Sequence, residues 1–285
     1  MQKSSKFRNR LEKSGIIVLP GIYDAVGARV AQQVGFEGVY LTGNGLVASR
    51  IGKPDIGLAT MTEMVSWARN INSCIDIPLI CDADNGYGGI NNVKRTVEEF
   101  EAAGVAAIHI EDQVFPKKCA AIGGLKLVPI EDMLDKIKVA IKTRKEMVII
   151  ARTDIMSVTN NINDVIDRIK AFENVGADVV YAEMITNSEH IKRIVDSVKV
   201  PVLFDIFEQE NKEEIFTVQQ LEDLGIKIVF NCLTLMRYNI KSTHKFLEHF
   251  KRTGSTKEYY EDIMELHRYE DFMGLKEENK VNISI

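Results

Sequence analysis

The sequence predicts an α/β chain folded as a (β/α)8 (TIM) barrel, and three features predict it. Eight short β-branched runs are spread along the chain, most of them followed by a longer stretch whose apolar residues recur at helical spacing. The phrase helix, glycine, strand repeats as QQVGFEGVY, EAAGVAAIH, ENVGADVVY and EDLGIKIVF. The alternation fills about 250 residues, the size of such a barrel. A doubly wound open sheet is the alternative that repeat counting leaves open.

The first strand is expected at IIVL (16–19), followed by the helical pattern YDAVGARVAQQVG with its terminal glycine. GVYL (38–41) comes next, and MTEMVSWARNI follows it with Trp67 and its methionines on a packing face. PLIC (78–81) leads to VKRTVEEFEAAG, AAIHI (106–110) to IEDMLDKIKVAIKT, and MVII (147–150) to INDVIDRIKAFENVG. DVVYA (178–182), PVLF (201–204) and KIVF (227–230) complete the set. The whole chain, 1–285, reads as one barrel domain, with 255–285 as a surplus helical extension suited to subunit contacts. The mixed charges of KEYYEDIMELHRYEDF read as a solvated or inter-subunit helix.

Composition narrows the function classes. At 285 residues and 45% hydrophobic content the chain builds a sizeable core. A formal charge of -5 carries no basic excess for a nucleic-acid backbone or an anionic membrane. No apolar run reaches the length of a membrane span, and MQKSSKFRNRLEKSG lacks a signal-peptide core, so a cytoplasmic location is expected. The four cysteines, Cys74, Cys81, Cys119 and Cys232, form no C-x-x-C pair, which argues against a disulfide framework or a zinc site. Cys81 and Cys232, in or beside strands, read as inert core thiols.

The chemistry gathers just past the strands, where barrel active sites form. TGN (42–44), DAD (82–84), ED (111–112), RTD (152–154), Glu183, Asp205 and Asn231 all fall there. Any one of them alone is accounted for as a helix cap. Successive carboxylates repel unless a cation holds them, so Asp82, Asp84 and Glu111 are the expected Mg2+ shell. Arg152 is the expected grip on an anionic substrate. GVYLTGNGLVA also imitates a dinucleotide fingerprint, but the glycines and proline of SRIGKPDIGLATMTE make an immediate helix doubtful. Thr42, Gly43 and Asn44 are read instead as small groups whose backbone donors approach an oxyanion. His109 is read equally as packing or function. QVFPKKCAAIGGLKL (113–127) fits neither strand nor durable helix; its Gly123-Gly124 pair predicts a mobile lid, and Lys117 and Lys118 are expected to lower the pKa of the Cys119 thiol.

YLTGNGLVASRIGKPDIGLATMTEM, PLICDADNGYG, AAIHIEDQVFPKKC, IIARTD and YAEM together resemble the isocitrate lyase and phosphoenolpyruvate mutase superfamily, over nearly the whole chain. Within it the chain is most similar to the methylisocitrate lyase and dimethylmalate lyase branch. The resemblance implies a barrel whose last helix packs on a neighbouring subunit, hence a helix-swapped homodimer or homotetramer. It also implies Mg2+, with Mn2+ as the alternative ion, and a keto- or 2-hydroxy-acid substrate. By position, it implies that Thr42, Gly43 and Asn44 bind the substrate carboxylate, with Asp55 near the metal and Asp82, Asp84 and Glu111 around it. Arg152 would contact the substrate, Glu183 would be an acid in the pocket, Tyr40 a base, and Cys119 the donor that protonates the departing carbanion.

Two departures stand out: Ala120-Ala121 replace the family's Gly-His after the lid cysteine, and Asp205 replaces an Asn near the substrate. The chain nevertheless keeps Cys119 and lacks the Asn or Ser expected in the lid of phosphonopyruvate-forming mutases and hydrolases, so carbon–carbon lysis is the leading reading. A carboxyphosphonoenolpyruvate mutase, an oxaloacetate decarboxylase or hydrolase, and a keto-acid-binding barrel that has lost catalysis are the alternatives.

Overall fold

The computed structural model describes residues 2–208 and 216–278. Its strands are β1 (Ile17–Ile22), β2 (Val39–Leu41), β3 (Leu79–Asp82), β4 (Ala107–Glu111), β5 (Val148–Thr153), β6 (Val179–Ala182), β7 (Val202–Asp205) and β8 (Ile228–Asn231). They run parallel in chain order and close on themselves, β1 pairing with β8 from Ile17↔Ile228 to Pro20↔Asn231. This closure removes the open-sheet alternative. Each strand starts one residue later than its predicted run, and β3, β4, β5, β7 and β8 run past their predicted ends, which draws Asp82, Glu111, Arg152, Asp205 and Asn231 into the ladder.

The helices are α1 (Lys3–Leu11), α2 (Ala25–Val34), α3 (Gly43–Ile51), α4 (Met61–Ser73), α5 (Ile90–Ala102), α6 (Ile130–Thr143), α7 (Met156–Thr159), α8 (Ile162–Asn174), α9 (Ser188–Ser197), α10 (Val218–Asp223), α11 (Thr234–Thr253), α12 (Leu266–Met273) and α13 (Leu275–Glu278). The glycines of the four repeated phrases, Gly35, Gly104, Gly176 and Gly225, follow α2, α5, α8 and α10 with φ of 101°, 79°, 96° and 91°. That left-handed geometry is strained for a side chain, which explains why glycine marks each helix-to-strand turn.

Period-two alternation sorts the strand residues into two cores. One lies between the sheet and the outer helices and includes Leu41, Cys81, Ile108, Ile149 and Val180. The other fills the barrel and includes Leu19, Ile80, Ile150 and Leu203 from odd-numbered strands. Phe7 of α1, 2% exposed, belongs to this inner cluster. A closed ring of Tyr40, His109, Tyr181 and Phe230, one from each even-numbered strand, forms the next layer, with neighbouring centroids 4.0–5.9 Å apart. Four side chains from alternate strands is the packing unit of such barrels. Two residues further along the same strands come Thr42, Glu111, Glu183 and Cys232. The aromatic layer thus separates apolar core from polar site.

The chain divides into two compact units, Met1–Met236 and Arg237–Ile285. Within the second, Phe246 packs on Phe250 and Tyr259, with centroids 6.5 and 5.1 Å away. The predicted tail segment is split there into a 3-10 turn, Lys257–Asp262, and α12. Residues 279–285 of that predicted extension lie outside the described residues. Among the described residues no helix is long and apolar enough to cross a membrane.

Candidate active site

At the carboxyl end of the barrel, Tyr40, Asn44, Asp55, Asp82, Arg152, Glu183 and Asp205 line one cleft together with Cys119. Thr42, Gly43, Asp84 and Glu111 are buried behind that lining: Thr42 Oγ1 lies 3.1 Å from Cys232 Sγ, Gly43 packs against Asp82, Asp84 pairs with Lys117 at 2.7 Å and Glu111 lies 3.5 Å from Arg152.

Thr42 follows β2 directly and caps α3, its Oγ1 accepting the Gly45 N–H at 3.2 Å. The helix expected to be doubtful therefore forms directly after the strand. Its first glycine has a different reason from nucleotide binding: a Cβ on Gly43 would lie 2.5 Å from Asp82 Oδ2, so only glycine lets the helix backbone approach that carboxylate. Gly43→Ala is expected to displace Asp82 and cost about 1–3 kcal/mol. Thermal denaturation measures the cost.

Asp82, Asp84, Asp55 and Glu111 are all nearly out of solvent. Asp84 adopts φ of 47° and is pushed up to about 7 by burial, with Asp82 and Asp55 adding repulsion. Burial also opposes ionisation of Asp82, but His109, Lys117 and Arg152 together outweigh it and hold the group below the usual carboxylate range. Burial pushes Glu111 well up, and its Oε1 has no hydrogen-bond partner. The counter-charge is Lys117, whose Nζ lies 2.8 Å from Asp55 and 2.7 Å from Asp84. Burial opposes its charge, yet the surrounding carboxylates raise its pKa well above the ordinary value.

No three His, Cys, Asp or Glu side chains among the described residues form a ready-made metal cage. Even so, buried carboxylates that outnumber their cations and an unpartnered Glu111 oxygen fit a hard, hydrated divalent ion. Such an ion takes one or two carboxylates directly and reaches the others through water.

Arg152 stands over the Tyr181 ring, 5.3 Å from its centroid. Its Nε and Nη2 donate to Asp154 at 2.7 and 3.2 Å, while Glu111 and Glu183 lie 3.5 and 3.8 Å from the guanidinium. Glu183 also accepts a hydrogen bond from Tyr181. Asp112, behind Asp154, accepts from Thr153 Oγ1, Asp154 N and Arg168 at 2.6, 3.0 and 2.9 Å. Asp112, Gln113 and Asp154 sit inside the quoted HIEDQ and ARTD motifs, but nothing in the spacing assigns them to each other.

Three expectations are corrected. Burial, with Glu183 and Asp55 adding to it, raises the Cys119 pKa. Lys117 does not lower it, because its ammonium turns away to Asp55 and Asp84, so Cys119 is held as a neutral thiol. Tyr40 is unsuited as a base: burial raises its pKa well above the ordinary value, and its hydroxyl pairs with His109 Nε2 at 2.7 Å. His109 is itself brought down to about 4 by burial and is a neutral partner in that pair. Finally, Cys81 is core, but Cys232 lines the cleft, its Sγ 3.1 Å from Thr42 Oγ1 and its N–H donating to Asp205 at 3.1 Å.

Comparison with known proteins identifies the family of the chain. The phosphoenolpyruvate phosphomutase family model matches residues 7–251. The chain is 36% identical to 2,3-dimethylmalate lyase of Eubacterium barkeri, covering 99% of this chain and 97% of that one. It is 35% identical to 2-methylisocitrate lyase of Aeropyrum pernix, covering 96% and 88%. Among solved structures, oxaloacetate acetylhydrolase with 3,3-difluorooxalacetate superposes with a TM-score of 0.92 at 31% identity, covering 98% and 96%. Phosphonopyruvate hydrolase with oxalate and Mg2+ gives 0.89 at 26%, covering 99% and 98%.

Proposed function

Since the chain belongs to the phosphoenolpyruvate phosphomutase family, in the superfamily that holds the carbon–carbon lyases it resembles, we propose that it is a Mg2+-dependent lyase of a 2-hydroxy di- or tricarboxylate. The substrate class is that of 2,3-dimethylmalate and methylisocitrate, and pyruvate or a related keto acid is one product. The observation that carries this reading is a thiol kept protonated by burial, on a loop over a cleft that also presents Arg152. Ala120, Ala121, Phe207 and Leu233 make part of the cleft wall apolar. That wall favours an alkyl substituent over a third carboxylate, hence dimethylmalate over methylisocitrate.

In this reading Arg152 grips the carboxylate of the keto-acid half, oriented by Asp154. The start of α3 at Gly43 and Asn44 offers backbone N–H donors to the same anion. Asp82, Asp84 and Glu111 would hold Mg2+, which when bound supplies Lewis-acid polarisation of the keto-acid oxygens. Glu183 lines the cleft as the carboxylate that takes the 2-hydroxyl proton. The carbon–carbon bond breaks toward the second fragment, whose carbanion is stabilised as an enediolate. Cys119 then gives that carbon its proton, and the closed lid keeps bulk water from doing so at random. The assembly is a homodimer or homotetramer joined through the Arg237–Ile285 unit, where Tyr238, Leu247, Tyr260 and Leu266 are exposed.

Purified protein with Mg2+ is expected to release pyruvate from 2,3-dimethylmalate, and excess EDTA to abolish the release. Methylisocitrate, isocitrate, oxaloacetate and phosphonopyruvate complete the panel. Oxalate binding without turnover of any of them would support a binding protein instead.

A further inference from the structure

Gln113 is 1% exposed and sits at the base of the lid, where its backbone bridges to Leu127 and the Val114 N–H donates to Lys126 O at 2.8 Å. Its backbone is therefore fixed to the barrel while its side chain reaches into the loop. The Oε1 atom accepts the Lys118 N–H at 2.9 Å, and Nε2 donates to Lys118 O at 2.8 Å. The amide thus holds both backbone groups of the residue between Lys117 and Cys119. The other Nε2 hydrogen goes to Asp154 Oδ2 at 2.5 Å, and Asp154 is the carboxylate that holds Arg152. With both donors and the acceptor used, this buried amide has no polar atom to spare.

We propose that Gln113 is a positioning residue that latches the lid and couples its closure to the orientation of Arg152. When the segment around Lys118 lifts, the amide loses both of its backbone partners, and the carboxylate that orients Arg152 loses a fixed donor. The closed loop therefore brings the Cys119 thiol and the anion grip into register together, in one two-state element. The consequence for turnover rests on the lyase reading, whereas the consequence for the loop does not.

The test is the rate at which iodoacetamide alkylates Cys119 in the full-length protein, resolved by peptide mass spectrometry. Gln113→Met keeps the length and removes the hydrogen bonds, so Cys119 should react about tenfold faster, as expected from two neutral hydrogen bonds of ordinary strength. Cys81, fully buried, should remain unreactive, which separates lid opening from global unfolding. Asp154→Asn keeps an acceptor for Gln113, so Cys119 should react at the wild-type rate while oxalate in the presence of Mg2+ binds about tenfold more weakly. Should Gln113→Met not fold, Gln113→Asn, one carbon too short to reach Lys118, carries the same expectation. Wild-type alkylation in a folded Gln113 variant, or faster alkylation in Asp154→Asn, overturns the latch. Faster alkylation in a protein that cleaves no 2-hydroxy acid supports the latch and overturns the lyase reading instead.

Discussion

Cys119→Ser is expected to lower the rate of carbon–carbon cleavage by about 10²–10⁴, the range a positioned general acid supplies. The substitution keeps the size of the side chain and the loop contact in which the Cys119 N–H donates to Asp55 O at 3.1 Å, so oxalate should bind as in the wild type. What changes is acidity, because an alcohol gives up its proton far less readily than a thiol. The wild-type pH profile should carry the same signature. Burial raises the thiol above its ordinary value of 9.0, so the active protonated form persists through that pH and is lost only as the pH climbs through the raised value. Steady-state keto-acid release and an oxalate titration check both points, and cleavage by Cys119→Ser at the wild-type rate would remove the thiol from the mechanism.

Lys117→Met is expected to have the largest effect on stability. It leaves Asp55 and Asp84 buried without their cation, and breaking a buried pair from one side costs about 3 kcal/mol or more. For a domain of this size that lowers Tm by roughly 6 °C or more. Exposed pairs such as Lys94–Glu98 contribute well under about 1 kcal/mol and make a fitting control. Added Mg2+ should raise the Tm of the variant more than that of the wild type, since Asp55 and Asp84 then lack the ammonium that pairs with them. A Tm within about 2 °C of wild type, insensitive to Mg2+, would show that the carboxylates do not depend on Lys117 for compensation.

Much of the fold was legible because its signals are local. A β-branched run, a helical apolar stripe and a left-handed glycine each declare themselves within a dozen residues, and eight repeats then imply closure. Strand-end carboxylates were legible for the same reason. Alternation could also have separated Cys81 from Cys232: Cys81 lies between the inward-facing Ile80 and Asp82, whereas Cys232 is two residues beyond Phe230 of the aromatic layer. The same period places Tyr40 in that layer, which is why burial suppresses its use as a base.

What stayed hidden depends on the path of a loop. In sequence Lys117 lies two residues from Cys119, but the chain turns its ammonium onto Asp55 and Asp84, contributed by distant segments. Gln113 and Asp154 are separated by 41 positions, and the parallel pairing of β4 with β5, with Glu111 opposite Arg152, brings them together. Three-dimensional closure, not residue type, assigns those roles.

The central claim is that this barrel cleaves a carbon–carbon bond and delivers one proton to the released carbanion from Cys119. Cleavage of 2,3-dimethylmalate in D2O with Mg2+, followed by analysis of the propionate formed beside pyruvate, tests it most directly. The thiol exchanges with solvent and faces one side of the carbanion, so the account predicts a single deuterium at the carbon released by the cleavage, in one enantiomer. Racemic label would mean that water, not a positioned thiol, protonates the carbanion, and the absence of pyruvate would contradict the lyase assignment itself.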